Sequence, residues 1–153
     1  MIKNSIYLTK KKTFIIAEAG VNHNGSLQLA KKLIFNAKLA GVDAIKFQSF
    51  RAEDLSTKKS PKAKYQKKFT NKNETQFKML KRLELSDKMY HECAKYCKRL
   101  NITFLSSAFD VKSLNFLHKF KQQIFKVPSG ELTNFLYLKR LGNFYKKIFL
   151  STG

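Results

Sequence analysis

The stretch "ITFLSSAFDVKSLNFLHKFKQQIFKVPSG", residues 102–130, decides the fold. It begins with a run of β-branched, aromatic and aliphatic residues, 102–109, the composition of a buried strand. Asp110 follows, a residue type whose carboxylate accepts from free backbone N–H groups at a helix start. From there the spacing predicts a helix through Phe120. A second strand-like run, 123–129, then breaks at Pro128, Ser129 and Gly130. Strand, helix, strand in so short a stretch is a β–α–β unit, which makes the two strands parallel and the crossover right-handed.

The same unit repeats on either side. Residues 13–20, "TFIIAEAG", read as a first strand, and 26–40 as a helix with Ala30, Leu33, Ile34 and Ala37 on one face. Gly41 ends that helix, and 43–50 is the second strand. An irregular segment over 51–73 leads to two helices, 74–82 and 86–100, the latter with Ser86 as N-cap. A helix over 134–142 and a fifth strand over 146–153 complete the chain. The strands are near-continuous apolar runs, as expected where both faces are covered. Two architectures fit this α/β alternation: a doubly wound open sheet, and a (β/α)₈ TIM-type barrel truncated after its fifth strand. The dinucleotide fingerprint G-x-G-x-x-G and the phosphate loop G-x-x-x-x-G-K-[ST] are both absent, which weighs against a nucleotide-binding open sheet.

At 153 residues, 43% of them hydrophobic, the chain is sized for one domain with a sizeable core. No apolar run approaches the ~20 residues of a membrane span. The start, "MIKNSIYLTKKKTF", lacks the apolar segment and cleavage site of a secretory leader, so a cytoplasmic protein is expected. Thirty-one basic residues against ten acidic ones give a net charge of +21. Such a charge suits phosphate contacts with nucleic acid. The lysines are scattered, however, and the densest cluster, "KKSPKAKYQKK" at 58–68, carries no recognition-helix or RNA-binding signature. Nucleic acid is therefore not the expected partner, and attraction of small anions into a cleft is. Cys93 and Cys97 lie four apart on one helix face, too close for an unstrained disulfide and without the second Cys/His pair of a zinc site. Free thiols are expected.

Each strand ends in residues a core would not select. The first delivers Glu18 and then "VNHNG"; the second Lys46 and Gln48; the third Ser106 and Ser107. The fourth delivers Lys126 and Ser129, followed by Glu131, and the fifth Ser151 and Thr152. Alternation along a strand puts Lys46 and Gln48 on one face. In a barrel that face is the interior, and the C-terminal strand ends form the mouth of the active site. A lone strand-end lysine is more often a snorkelling surface residue. Two at equivalent places, one of them just before a break, point to a phosphorylated or carboxylated ligand. Glu18 sits between apolar residues and is expected to be shielded. His23 reads as structural or hydrogen-bonding rather than as a metal ligand.

The segments "FIIAEAGVNHNGSLQLAKKLI" (14–34), "AGVDAIKFQSF" (40–50), "FLSSAFD" (104–110), "FKVPSGELTN" (125–134) and "IFLSTG" (148–153) together resemble the sialic acid synthases and the related legionaminate and pseudaminate synthases. "SPKAKYQ" (60–66) resembles the subgroup that makes N-acetylneuraminate or N,N'-diacetyllegionaminate. The resemblance implies the N-terminal portion, residues 1–153, of a (β/α)₈ catalytic barrel, with the later strands and a small antifreeze-like domain absent. It implies a transferase that condenses phosphoenolpyruvate with N-acetylmannosamine, or a related 2,4-diacetamido sugar, and releases phosphate. Lys46, Ser107, Lys126, Ser129 and Ser151 match the phosphoenolpyruvate-binding positions, Glu18 a catalytic glutamate, and Gln48 and Asn71 sugar contacts. A divalent metal, Mn²⁺ or Mg²⁺, is implied for the full-length family, which pairs as homodimers. None of its ligands is matched here, neither His91 nor His118 standing at such a position. "SSAF" (106–109) replaces the family's usual Ser-Thr-Pro-Phe. The fragment alone is expected to be inactive. The other functions considered are a Schiff-base aldolase using a strand lysine, a basic nucleic-acid-binding protein and a truncated remnant without activity.

Overall fold

A computed structural model describes residues 13–63, 66, 74–144 and 146–153. In chain order the elements are β1 (Ile16–Gly20), α1 (Leu27–Leu39), β2 (Ala44–Ser49), a short α2 (Ala52–Leu55), α3 (Gln76–Leu83), α4 (Asp87–Arg99), β3 (Thr103–Ala108), α5 (Val111–Lys119), β4 (Ile124–Val127), a 3₁₀ turn (Ser129–Glu131), α6 (Phe135–Gly142) and β5 (Lys147–Leu150). Helix starts follow the polar residues that precede them. Ser26, Ser86 and Asn134 each accept a backbone N–H from the first turn, and Asp110 Oδ1 accepts from Ser113 N at 2.6 Å. Gly41, at φ +74°, leaves α1 in the left-handed conformation a glycine takes without penalty. The region expected to be irregular contains α2, whose Ala52 is fully buried.

Every strand pairing is parallel, in the order β1-β2-β3 and, beside it, β4-β5. A doubly wound sheet would reverse strand order at a switch point; here consecutive strands stay neighbours, as in a barrel. Between β3 and β4 a side chain takes the place of the backbone ladder. The buried Gln122 carboxamide accepts from Ser106 N and donates to Ser106 O and Ile124 O, all at 2.9 Å. It reproduces a peptide group's pattern and ties the two sheets together.

The faces of β1–β4 divide the residues by parity. Outward, Ala17, Ala19, Ile45, Phe47 and Phe104 meet Ala30, Ile34 and Ala37 of α1 and Tyr90, Cys93 and Cys97 of α4. Both cysteines are buried free thiols, and burial pushes Cys93 up to about 11 and Cys97 to about 12. Full burial of a side chain such as Phe47 contributes about 1.5–3 kcal/mol, so this interface positions the strands. A second cluster, including Leu114, Leu117, Phe125, Tyr137 and Leu141, seats α5 and α6 on β4, with Tyr137 donating to Ala108 O at 3.1 Å. Inward, Ala44, Leu105 and Ile124 pack with Phe14 and Ile16 at the N-terminal ends of the strands. Two residues further along each strand, the same face turns polar. On β5, Ile148, Phe149 and Leu150 are exposed.

Candidate active site

The parity of the inner face leads from Ile16 to Glu18, from Ala44 through Lys46 to Gln48, from Leu105 to Ser107 and from Ile124 to Lys126. In register, Glu18 lies opposite Lys46, and Gln48 opposite Ser107. The strands therefore deliver these five side chains to one rim at their C-terminal ends. A register irregularity between Glu18 and Gly20 marks a bulge at Ala19, a device that re-aims side chains beside active sites. A Cβ on Gly20 would lie 3.4 Å from Glu18 Oε1 and 3.7 Å from Gln48 Nε2, so the carboxylate and the carboxamide flank this glycine.

Glu18 and Lys46 form a direct ion pair. The lysine side chain is 13% exposed and the glutamate 49%. Glu18 was expected to be shielded; it projects instead from the inner face, which is open at this level, and its charge is met by the less exposed Lys46. Lys126 has both charges within electrostatic range. Partial burial lowers its pKa, proximity to Lys46 lowers it further, and Glu18 opposes the shift. The rim thus carries two cations against one anion, a surplus that favours an anionic ligand. All ten Asp and Glu side chains already have an ion-pair or hydrogen-bond partner.

Ser107 is 1% exposed, and its Oγ has no hydrogen-bond partner among the described residues. A buried hydroxyl in that state costs on the order of 1–3 kcal/mol, which a ligand oxygen would offset. Ser129 opens the 3₁₀ turn directly after β4, and Ser151 follows β5, donating its N–H to Val127 O at 3.2 Å. Both sit at the same end of the strands as the rim, with Ser129 exposed and Ser151 half-buried. Asn71 lies outside the described residues. Sequence reasoning missed Gln122, since a glutamine between helix and strand carries no pattern that reveals its three backbone bonds.

The β1–α1 loop is held from beneath. His23 is fully buried against Phe47, and its Nδ1 accepts from Gly25 N at 3.0 Å, which places the proton on Nε2. Burial lowers its pKa to about 4. The histidine is hydrogen-bonding, one of the two roles expected of it, and its Nε2 is buried without a partner among the described residues. Gly25 (φ +74°) approaches Arg82 so closely that a Cβ would lie 2.3 Å from its carbonyl oxygen, which locks the loop onto the end of α3. Among the described residues there is no cluster of three His, Cys, Asp or Glu side chains able to hold a metal, and no helix long and apolar enough to cross a membrane. The rim's own donors, two ammoniums and a hydroxyl beside one paired carboxylate, fit an anion rather than a cation.

Comparison with known proteins gives concordant results. The model of the NeuB family matches residues 33–153. The chain is 52% identical over 94% of its length to the N,N'-diacetyllegionaminic acid synthase of Campylobacter jejuni, of which it covers 43%. It is 46% identical over 92% of its length to the enzyme of that name from Legionella pneumophila, of which it covers 39%. Among solved structures, the N-acetylneuraminic acid (sialic acid) synthetase of Leptospira borgpetersenii, determined in complex with citrate, superposes with a TM-score of 0.73 at 31% identity, over 92% of this chain and 44% of the other. The chain thus spans about 40% of the length of the curated relatives it matches, and its five strands correspond to part of a TIM barrel.

Proposed function

The chain belongs to the NeuB family, and from that premise we propose that its polar rim is the phosphoenolpyruvate-binding part of a sugar-acid synthase active site. The observation that carries this reading is the convergence of Glu18, Lys46, Gln48, Ser107 and Lys126 on one face of the parallel strand ends. In it, residues 1–153 form the N-terminal portion of the catalytic barrel of a cytoplasmic enzyme. Lys46 and Lys126 neutralise the phosphate and carboxylate of phosphoenolpyruvate, and the orphaned Ser107 hydroxyl bonds one of their oxygens. Ser129 and Ser151 extend that cradle from the next two strand ends. Gln48 contacts the acceptor, N-acetylmannosamine or a related 2,4-diacetamido sugar, the latter in line with the names of the two relatives above. The enol carbon attacks the sugar aldehyde, water adds to the resulting cation, and phosphate departs with C–O cleavage. Glu18, ion-paired with Lys46, orients that water and accepts its proton.

The Mn²⁺ or Mg²⁺ implied by the family resemblance does not fit the described residues, whose rim is cationic. Homodimerisation is likewise a property of the full-length family, and nucleic acid has no part in this reading. The test is reconstitution. Mixing the 153-residue chain with a polypeptide carrying the remaining strands of the Campylobacter jejuni relative should give phosphate release that requires both chains, phosphoenolpyruvate and sugar. Release that does not require phosphoenolpyruvate, or turnover by the chain alone, would contradict the proposal. A Schiff-base aldolase is the second reading, favoured by the lowered pKa of Lys126. Borohydride trapping of pyruvate on Lys126 would select it.

A further inference from the structure

Helices α1, α4 and α5 each end a few residues before the strand that follows them. Their C-termini and the loops after them therefore form one face, at the opposite end of the strands from the rim. Cations gather there. Lys38, Lys98, Arg99 and Lys119 stand in the last helical turns, and all four are exposed. Lys121 and Lys146 follow in the loops, the first exposed and the second half-buried. Among the described residues Asp43 is the one carboxylate at this end, and it accepts Ile15 N at 2.8 Å. The rim end differs. Its acids Glu53, Asp54, Glu84 and Asp87 are paired with Lys81, Lys112 and Arg51. Lys38 and Lys146 instead donate to neutral acceptors, Asn101 O at 3.4 Å and Gln123 Oε1 at 3.0 Å. The helix macrodipole favours a cation in each last turn, but it accounts neither for the loop lysines nor for the shortage of carboxylates between them.

These cations are contiguous. The Lys38 bond reaches the loop of Asn101, and a cleft of about 300 Å³ joins Asn101 to Lys98 and Thr103. A second cleft, about 210 Å³, joins Thr103 to Lys121 and Gln123, which holds Lys146. Apolar side chains share the face. Leu39 is 70% exposed beside Lys38, and Ile15, directly before β1, is 50% exposed. Like charges gathered without counter-ions repel, and a surface of phosphates removes that repulsion. Exposed leucine and isoleucine gain by entering the headgroup boundary of a bilayer, whereas a phosphodiester chain in water offers them nothing comparable. Cations for phosphate with apolar side chains for the acyl boundary favour lipid over nucleic acid.

We propose that this face docks the protein on a membrane surface rich in anionic phospholipid, leaving the rim turned to solvent. The inference does not depend on the synthase reading of the rim. The 153-residue chain should sediment with vesicles of mixed phosphatidylcholine and phosphatidylglycerol and stay in solution with phosphatidylcholine alone. A lysine near such a surface is worth about fivefold in affinity, so the triple variant Lys98→Gln, Lys119→Gln, Lys121→Gln should bind the mixed vesicles roughly 100-fold more weakly. The same loss of charge at the rim end, through the exposed Lys58→Gln, Lys59→Gln and Lys88→Gln, should weaken binding by less than about threefold, because these positions face away from the surface. A label reports the orientation independently. Cys93 and Cys97 are buried, so in Leu39→Cys a polarity-sensitive, thiol-reactive dye attaches at position 39. Its emission should shift to the blue on mixed vesicles, and that of the same dye on Lys59→Cys should not. If circular dichroism shows the triple variant unfolded, the two labelled chains decide. Equal weakening by both triple variants, equal binding to both kinds of vesicle, or a shift at position 59 in place of 39 would overturn the proposal. So would binding of single-stranded DNA, weakened in the Lys98, Lys119 and Lys121 variant, by a chain that ignores the vesicles; the face would then serve nucleic acid.

Discussion

Replacing Lys126 with methionine should move stability and ligand affinity in opposite directions. The ammonium is partly buried, and Lys46 stands near it, so the charged form is disfavoured in the free chain. Methionine keeps much of the aliphatic stem and removes the charge. Because the group retains contact with solvent, screening limits the gain, and the variant should resist urea by about 0.5–1 kcal/mol more than the wild type. Phosphoenolpyruvate loses one charge-assisted hydrogen bond in the same variant, worth about 1.5–3 kcal/mol, or roughly 10- to 150-fold in Kd. Urea denaturation followed by circular dichroism gives the first quantity, and isothermal titration with phosphoenolpyruvate the second. Lys32→Met, on the exposed side of α1, serves as the control for loss of one surface charge and should leave both nearly unchanged. A K126M chain that unfolds more readily, with affinity falling no further than in K32M, would refute the reasoning and make Lys126 a structural residue.

Three further outcomes follow from the same contacts. Gln122→Ala should destabilise the chain by about 2–4 kcal/mol in urea titration, because Ser106 and Ile124 are left with unpaired backbone groups between the sheets. Gly25→Ala should lower stability by about 1–3 kcal/mol, since the new methyl meets the Arg82 carbonyl and the backbone is left-handed there. His23 ties stability to pH. Its folded pKa of about 4 lies below its ordinary value of 6.5, so between those values the unfolded chain binds the extra proton and stability falls as the solution is acidified. The wild type should lose about 2 kcal/mol from this group between pH 7 and pH 5, a loss absent in His23→Gln when both are followed by urea titration.

Much of this fold was legible because the signals are local. Helix caps at Ser86 and Asp110 and the apolar strand runs announce their elements through chemistry confined to a few residues. The parity that pairs Lys46 with Gln48 follows from the period of a strand, so half of the rim could be placed without coordinates. What was hidden depends on neighbours distant in sequence. The exposure of Glu18 depends on what covers the inner face, a property of the whole sheet rather than of the segment "IAEAG". Gln122 acts through a gap between two ladders that no pattern predicts.

Protection of individual lysines by ligand tests the central claim most directly. The chain is labelled with an amine-reactive reagent, with and without phosphoenolpyruvate, and the modified positions are quantified by mass spectrometry. Slowed labelling concentrated at Lys46 and Lys126, reproduced by phosphoenolpyruvate analogues but not by salt of equal ionic strength, is the predicted result. Slowing spread evenly over the many surface lysines would instead mean that the anion associates with a positively charged surface and that the rim is not a binding site.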